Sequence, residues 1–322
     1  MKHCTDERYG MALIHQADFK FPTRTNMSAY SRTFLSAIFG ILILLSPALS
    51  QSAEVIPLTL TAPDSAGIGQ PFLVQISSTQ KLNQLQVYWN GKTITPTITT
   101  NNDESHALVL LGTSLRTEPA DMPLEIQAIT QGIKHNLNRI IHIEPHKYQG
   151  EKLSVAPKMI TPPEKELKRI KAEREKALKA IRTVSAERMW EIPFVLPVKG
   201  KKLSRFGLYR TFNGKIKRRH KGLDFRAYLG TPIKSIAAGK VILVGNFYYA
   251  GNCVFIDHGN GVVSNSIHMS TVLVKEGDLI KPGQKIGLSG ATGRATGAHL
   301  HLSVYVQGLS IDPEPLFTLG HT

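Results

Sequence analysis

Cysteine is almost absent: 322 residues hold two, Cys4 and Cys253. If the first fifty residues are removed as a leader, Cys253 is alone and an internal disulfide is excluded. Its setting, "NCVFIDHG", makes it a small buried hydrophobe on a strand. Long apolar runs are scarce too. The one near the start lies in "SAYSRTFLSAIFGILILLSPALS", residues 28–50, with Arg32 before an apolar stretch over 34–45 and Ala48-Leu49-Ser50 after it. A short apolar core followed by small residues reads as a secretory signal peptide, too short for a comfortable membrane span, so no stable span is expected in the mature form. No cysteine follows the run, which excludes lipid attachment there. The 26 residues ahead of Met27 are polar, and a start at Met27 would leave a signal of ordinary length. Acidic residues are few as well: 39 Lys and Arg stand against 24 Asp and Glu, net +15, and cleavage after Ser50 would leave +13. Such a chain meets polyanions, but the usual nucleic-acid signatures are missing and no nucleic-acid partner is expected. Repeat modules are missing too.

What is present reads as β structure. Residues 54–148 carry short runs, among them "VIPLTLTA", "PFLVQISS", "LQVYWNGKTI", "HALVLLG" and "PLEIQAIT", separated by Gly, Pro, Asn and Asp. Asn90-Gly91 marks a two-residue hairpin turn. About seven short strands in this span suggest an immunoglobulin-like sandwich. Its histidines, His106, His135, His142 and His146, show no metal-ligand spacing. A charged connector follows over 149–191. Pro162-Pro163 stops the preceding segment, and "EKELKRIKAEREKALKAIRTVSAERMW" is rich in helix formers with only a thin apolar stripe of Leu167, Ile170, Ala177, Leu178 and Ile181. A mostly exposed helix is expected, with too few heptads for a coiled-coil arm. From 192 to 322 the pattern returns to β with Gly-rich turns, and five of the twelve histidines fall between His220 and His301. The fold class is therefore all-β, in two modules joined by a charged helix.

Chemistry gathers in the second module. "HKGLDF" sets His220 four residues before Asp224, and Gly222 between them argues for an extended chain rather than a helix. At an even spacing on a strand the two side chains share a face. "GAHLHLSV" sets His299 and His301 on one strand face in the same way. His268 in "VVSNSIHMST" and His258 in "IDHGNG" complete the candidates. A catalytic metal of the zinc type needs three protein ligands, an open position for water and a nearby base, and these histidines with one aspartate supply that number with a ring to spare.

"HKGLDF", "IDHGNGVVS" with the histidine after it, and "GAHLHLSV", in that order, resemble the lysostaphin-type zinc metallo-endopeptidases. The framework segments "FVLPVKGKKLSRFGLYR", "GTPIKSIAAGKV", "VKEGDLIKPGQKIGLSGATGRATG" and "DPEPLF" match too, so the resemblance covers 194–317. It implies a compact, twisted antiparallel β domain with a narrow groove across one Zn²⁺ per chain. It implies His220, Asp224 and His301 as zinc ligands. His268 and His299 would flank the attacked water, as general base and as donors to the developing oxyanion. His258 would be a framework residue of its turn. One departure stands out: Ser266 occupies a position where the family commonly carries Tyr, which implies altered groove contacts. The implied substrate is the peptide cross-link of bacterial peptidoglycan, cut as a D,D-endopeptidase would in the periplasm or cell envelope, by a monomer. A non-catalytic wall-binding protein, or an activator of another wall hydrolase, is the alternative from a different class.

Overall fold

The computed structural model describes residues 58–153, 162–212, 214 and 216–320. The leader and signal expectation, residues 1–53, lies outside them. No helix among the described residues is long and apolar enough to cross a membrane.

The N-terminal module is two sheets sharing one core. A four-stranded sheet orders Leu58–Thr61, Pro71–Ser78, Glu104–Gly112 and Ile98–Asn101, and a five-stranded sheet orders Ser65–Gly67, Ile133–Glu144, Asp121–Thr130, Leu82–Trp89 and Lys92–Ile94. Alternation makes this possible: Val74 and Ile76, Leu85 and Val87, and Leu124 and Ile126 point inward at every second position and are buried together. Trp89 ties the sheets, its ring edge-on to Phe72 and its indole N–H donating to Gly112 O at 2.8 Å. Asn90 and Gly91 both take positive φ, as a tight turn between Trp89 and Lys92 requires.

The connector is more varied than its composition indicates. Gly150–Leu153 is a strand, pairing in parallel with Tyr209–Phe212, and the helix runs only from Glu164 to Ile181. Glu164 and Glu166 occupy its first turn and complement its dipole. Ala177, Ala180 and Ile181 pack on a small cluster around Cys253, Phe255 and Val263, while Leu167 stays exposed. The thin stripe holds only the last turns of the helix.

The C-terminal module is built on one long sheet. Its strands run in the order Lys202–Ser204, Leu223–Arg226, His299–Val306, Val262–Val272, Gly251–Gly259, Gly239–Phe247 and Leu279–Ile280. Adjacent strands pair antiparallel, and the turns at Asn260-Gly261 and Gln307-Gly308 put both central residues at positive φ. Leu300, Leu302, Val304 and Val306 alternate into the core with Phe225, Val254 and Ile256. That alternation turns His299, His301 and Ser303 to the opposite face.

Residues 54–322 form one compact unit. Asp312 N–H donates to Gly69 O at 2.8 Å, Gln70 Nε2 donates to Asp312 Oδ2 at 3.1 Å, and Tyr148 Oη donates to Ile68 O at 2.6 Å. Gly69 has no room for a side chain at this seam: a Cβ there would stand 2.6 Å from Tyr148 Oη and 2.9 Å from the Phe206 ring.

Candidate metal centre

Three strands and one turn bring the site together. Asp224 and His301 are direct cross-strand partners, and two residue pairs along the same ladder Arg226 opposes His299. His220 closes the hairpin of Tyr209–Phe212 and Ile216–Arg219, and its backbone N–H donates to Leu208 O. His268 sits where the pairing of Gly251–Gly259 with Val262–Val272 shifts register, and it takes φ 64. His tolerates this left-handed conformation better than most residues, and non-glycine residues held there recur at functional sites. Its backbone N–H is satisfied by Ala250 O at 2.9 Å.

His220 Nε2 lies 3.1 Å from Asp224 Oδ1 and 3.1 Å from His301 Nδ1, and His301 Nδ1 lies 2.7 Å from the same carboxylate oxygen. The ligand atoms of His220, Asp224 and His301 are all within 4.8 Å of one another. His299 Nε2 is 4.0 Å from Asp224 Oδ1. The His268 ring is centred 4.9 Å from that of His299 and 6.2 Å from that of His301. Five of the six candidates from the sequence, His220, Asp224, His268, His299 and His301, therefore meet in one place. His258 is elsewhere, buried between Ala238 O and Ser264 Oγ.

Backbone carbonyls fix which nitrogen carries the proton. Nδ1 of His220 donates to Arg205 O, Nδ1 of His268 to Thr292 O and Nδ1 of His299 to Gly297 O, each at 2.8 Å. A carbonyl can only accept, so Nδ1 holds the hydrogen and Nε2 of each neutral ring is a lone pair. Burial works to raise the Asp224 pKa, but hydrogen bonds and charge from His220 and His301 outweigh it and hold the carboxyl well below the usual carboxylate range. Burial pulls His268 down to about 4, despite its bond to Thr292 O. Burial likewise lowers His301, against the raising influence of Asp224. The outcome is an ionised carboxylate in close contact with ring nitrogens of His220 and His301. Two nitrogens and one carboxylate oxygen, buried and converging, are the donor set of a borderline divalent cation, and a cation resolves the crowding of lone pairs. The residues fit a metal.

Several contributors had weak sequence signals or none. Gly222 is one: a Cβ on it would stand 2.5 Å from His301 Nε2 and 2.5 Å from Leu302 O. A glycine inside the His–Asp spacing was the available cue. Ser303 Oγ, 2.9 Å from His301 Nε2, was foreshadowed by continuing the alternation from His299 and His301. Arg205 and Thr292 act through backbone oxygens, which side-chain identity does not encode. Arg210 Nη2 reaches Asp224 Oδ2 at 3.3 Å.

The peptidase family M23 profile matches residues 218–313, which contain every residue of this cluster. Among curated relatives, the peptidoglycan DD-endopeptidase ShyA of Vibrio cholerae is 45% identical over 29% of this chain and 22% of its own length. The DD-carboxypeptidase/endopeptidase Mpg of Neisseria meningitidis is 38% identical over 30% of this chain and 22% of its own. The matched stretch thus spans less than a quarter of these relatives. Among solved structures, a candidate peptidase M23 from Pseudomonas aeruginosa superposes with a TM-score of 0.57 at 28% identity, covering 76% of this chain and 93% of that one. That coverage is wider than the matched family domain and takes in part of the N-terminal module. The C-terminal region of the chain, over residues 218–313, is thus similar to peptidase family M23.

Proposed function

We propose that the chain is a zinc-dependent endopeptidase of the bacterial cell envelope that hydrolyses peptide cross-links of peptidoglycan, of the D,D type. His220, Asp224 and His301 would hold one Zn²⁺, and His268 and His299 would handle protons. The observation that carries this reading is the pair of acceptor nitrogens, His268 Nε2 and His299 Nε2, beside a buried His–Asp–His cluster. When bound, the zinc supplies Lewis-acid polarisation of an amide carbonyl and lowers the pKa of water toward neutrality.

The chain's own residues do the rest. Nδ1 of His268 and of His299 is committed to a backbone carbonyl, which leaves Nε2 of each ring for the water, so one takes a proton from the attacking water while the other orients that water by a hydrogen bond. The carbonyl on the far side of each ring, Thr292 O or Gly297 O, steadies the imidazolium that forms, as a second-shell acceptor does. Once protonated, the same Nε2 becomes a donor. It stabilises the developing oxyanion and then delivers the proton to the departing amine, completing hydrolysis of the amide. The basic composition of the chain favours an anionic wall by weak, salt-sensitive attraction.

Digestion of purified sacculi tests the reading. Zinc-loaded protein is expected to convert cross-linked muropeptides to monomers with new amine ends, whereas chelator-treated protein and His301→Ala are not, with activity lower by about 10⁴-fold or more on loss of the metal. Cross-links left intact by the zinc-loaded protein would sink it in favour of a non-catalytic wall-binding or activator role. The amine that appears identifies the bond.

A further inference from the structure

The segment from Arg205 to Arg226, "RFGLYRTFNGKIKRRHKGLDFR", has eight Lys and Arg and a single acid, Asp224. Within it, Tyr209–Phe212 and Ile216–Arg219 form a hairpin in which Arg210 stands directly opposite Arg218 and Tyr209 opposite Arg219. Arg219 has structural work on its face: its guanidinium lies 5.0 Å from the Tyr209 ring centre and 5.8 Å from that of Tyr148, and Nη1 donates to Gly207 O. Arg210 and Arg218 share the other face. Like charges directly opposite on neighbouring strands oppose folding, and a local rule broken in this way is expected where function requires it.

That face looks to the metal centre, since Arg210 Nη2 reaches Asp224 Oδ2. A third arginine lies on a loop that supports His268. Arg294 belongs to the loop whose Thr292 O holds His268, and its own N–H donates to Tyr249 O at 2.9 Å. Its guanidinium lies over the Tyr249 ring at 4.4 Å, which restrains it. Desolvation by its surroundings lowers its pKa, and against the pull of Tyr249 the charges of Arg218 and Arg210 lower it further. Arginines carried beside the metal centre by the hairpin and by the loop of Thr292 suit a carboxylate, which a guanidinium binds by paired, charge-assisted hydrogen bonds.

We propose that Arg210, Arg218 and Arg294 form a carboxylate subsite beside the metal centre, which selects cross-links whose amine-side residue bears a free carboxylate next to the scissile nitrogen. A D-Ala–diaminopimelate link has such a group; a glycine bridge has none within its length. The inference rests on the peptidoglycan reading above and adds the substrate class to it.

The test is a binding measurement, independent of turnover. The full chain, zinc-loaded, is titrated with a monomeric stem peptide, which has no cross-link to cut, either with a free diaminopimelate carboxylate or with that carboxylate amidated. The free acid is expected to bind about 10- to 100-fold more tightly, and this preference to shrink as salt rises. Arg218→Gln/Arg294→Gln should bring the ratio near one, and Arg218→Lys/Arg294→Lys should restore part of it, which a merely misfolded variant would not. Equal affinity for acid and amide in the parent protein, or a preference untouched by the double glutamine variant, would overturn the subsite whatever the sacculus assay shows. A preference intact in a protein that cuts no cross-links would support the subsite and sink the hydrolase reading alone.

Discussion

Gly222 lies inside the His220–Asp224 spacing because His301 is packed against it. Alanine there would place its Cβ within van der Waals overlap of both the His301 ring and the Leu302 carbonyl. The carbonyl is fixed in the Leu223–Arg226 and His299–Val306 ladder, so the ring has to move. Gly222→Ala is therefore expected to weaken zinc affinity by about 10- to 100-fold, comparable to losing a supporting contact of a ligand, and to cost about 1–3 kcal/mol in stability from overpacking. Zinc competition against a chromophoric chelator reads the first and urea unfolding the second; parent-like affinity would show that His301 is not held by this contact. The shared face of His299 and His301 was legible from spacing alone, because strand periodicity is local. That Asp224 opposes His301 was not, because register between strands far apart in the chain is set by burial on the sheet's other face. The ligand roles came from resemblance, and the need for Gly222 became visible only with both strands in place.

Among elements, the connector departs most from its composition. Its charged helix was legible from helix formers after Pro162-Pro163, while the strand Gly150–Leu153 was not: "GEKL" has no alternation or β-branched residue, and its partner Tyr209–Phe212 supplies the order. The helix is also pinned by polar contacts that no apolar stripe reveals. Glu173 accepts from Arg169 Nε at 2.7 Å and from the Tyr248 backbone N–H at 2.7 Å. Tyr248 opens the turn whose next two carbonyls, Tyr249 O and Ala250 O, hold the Arg294 and His268 amides. The helix thus braces the turn that supports His268 and the loop of Arg294. Glu173→Ala should cost about 1.5–3 kcal/mol, the range for hydrogen bonds to a charged group, and lower Tm by several degrees. Faster hydrogen exchange at Tyr248 is expected to accompany it. Parent-like exchange at that amide would show that the helix rests beside the turn without bracing it.

At the scale of the whole molecule, the two β modules were legible as separate runs of alternation, but their seam was not, because Gly69, Gln70, Tyr148 and Asp312 come from distant segments and carry no common pattern. Burial across the unit also sets how it responds to acid. His258 is fully enclosed, its Nδ1–H donating to Ala238 O at 2.7 Å and its Nε2 accepting from Ser264 Oγ at 2.8 Å. Desolvation pulls its pKa down to about 4, outweighing the Ala238 bond and the nearby Asp257 charge. In the unfolded chain a histidine titrates near 6.5. Above that value both states hold His258 neutral and it adds no pH dependence. As pH falls from about 6.5 to about 4 the unfolded state takes up a proton that the folded state refuses, so stability is lost with falling pH. Between pH 7 and pH 5 the loss amounts to roughly 2 kcal/mol, at about 1.4 kcal/mol per pH unit below the unfolded value. His258→Gln, which keeps one donor and one acceptor but does not titrate, should start less stable at pH 7 and lose roughly 2 kcal/mol less than the parent on going to pH 5. Urea unfolding of both zinc-free proteins at the two pH values measures that difference, in which the other histidines cancel. Parallel losses in parent and variant would mean that the folded protein admits a proton at His258 after all.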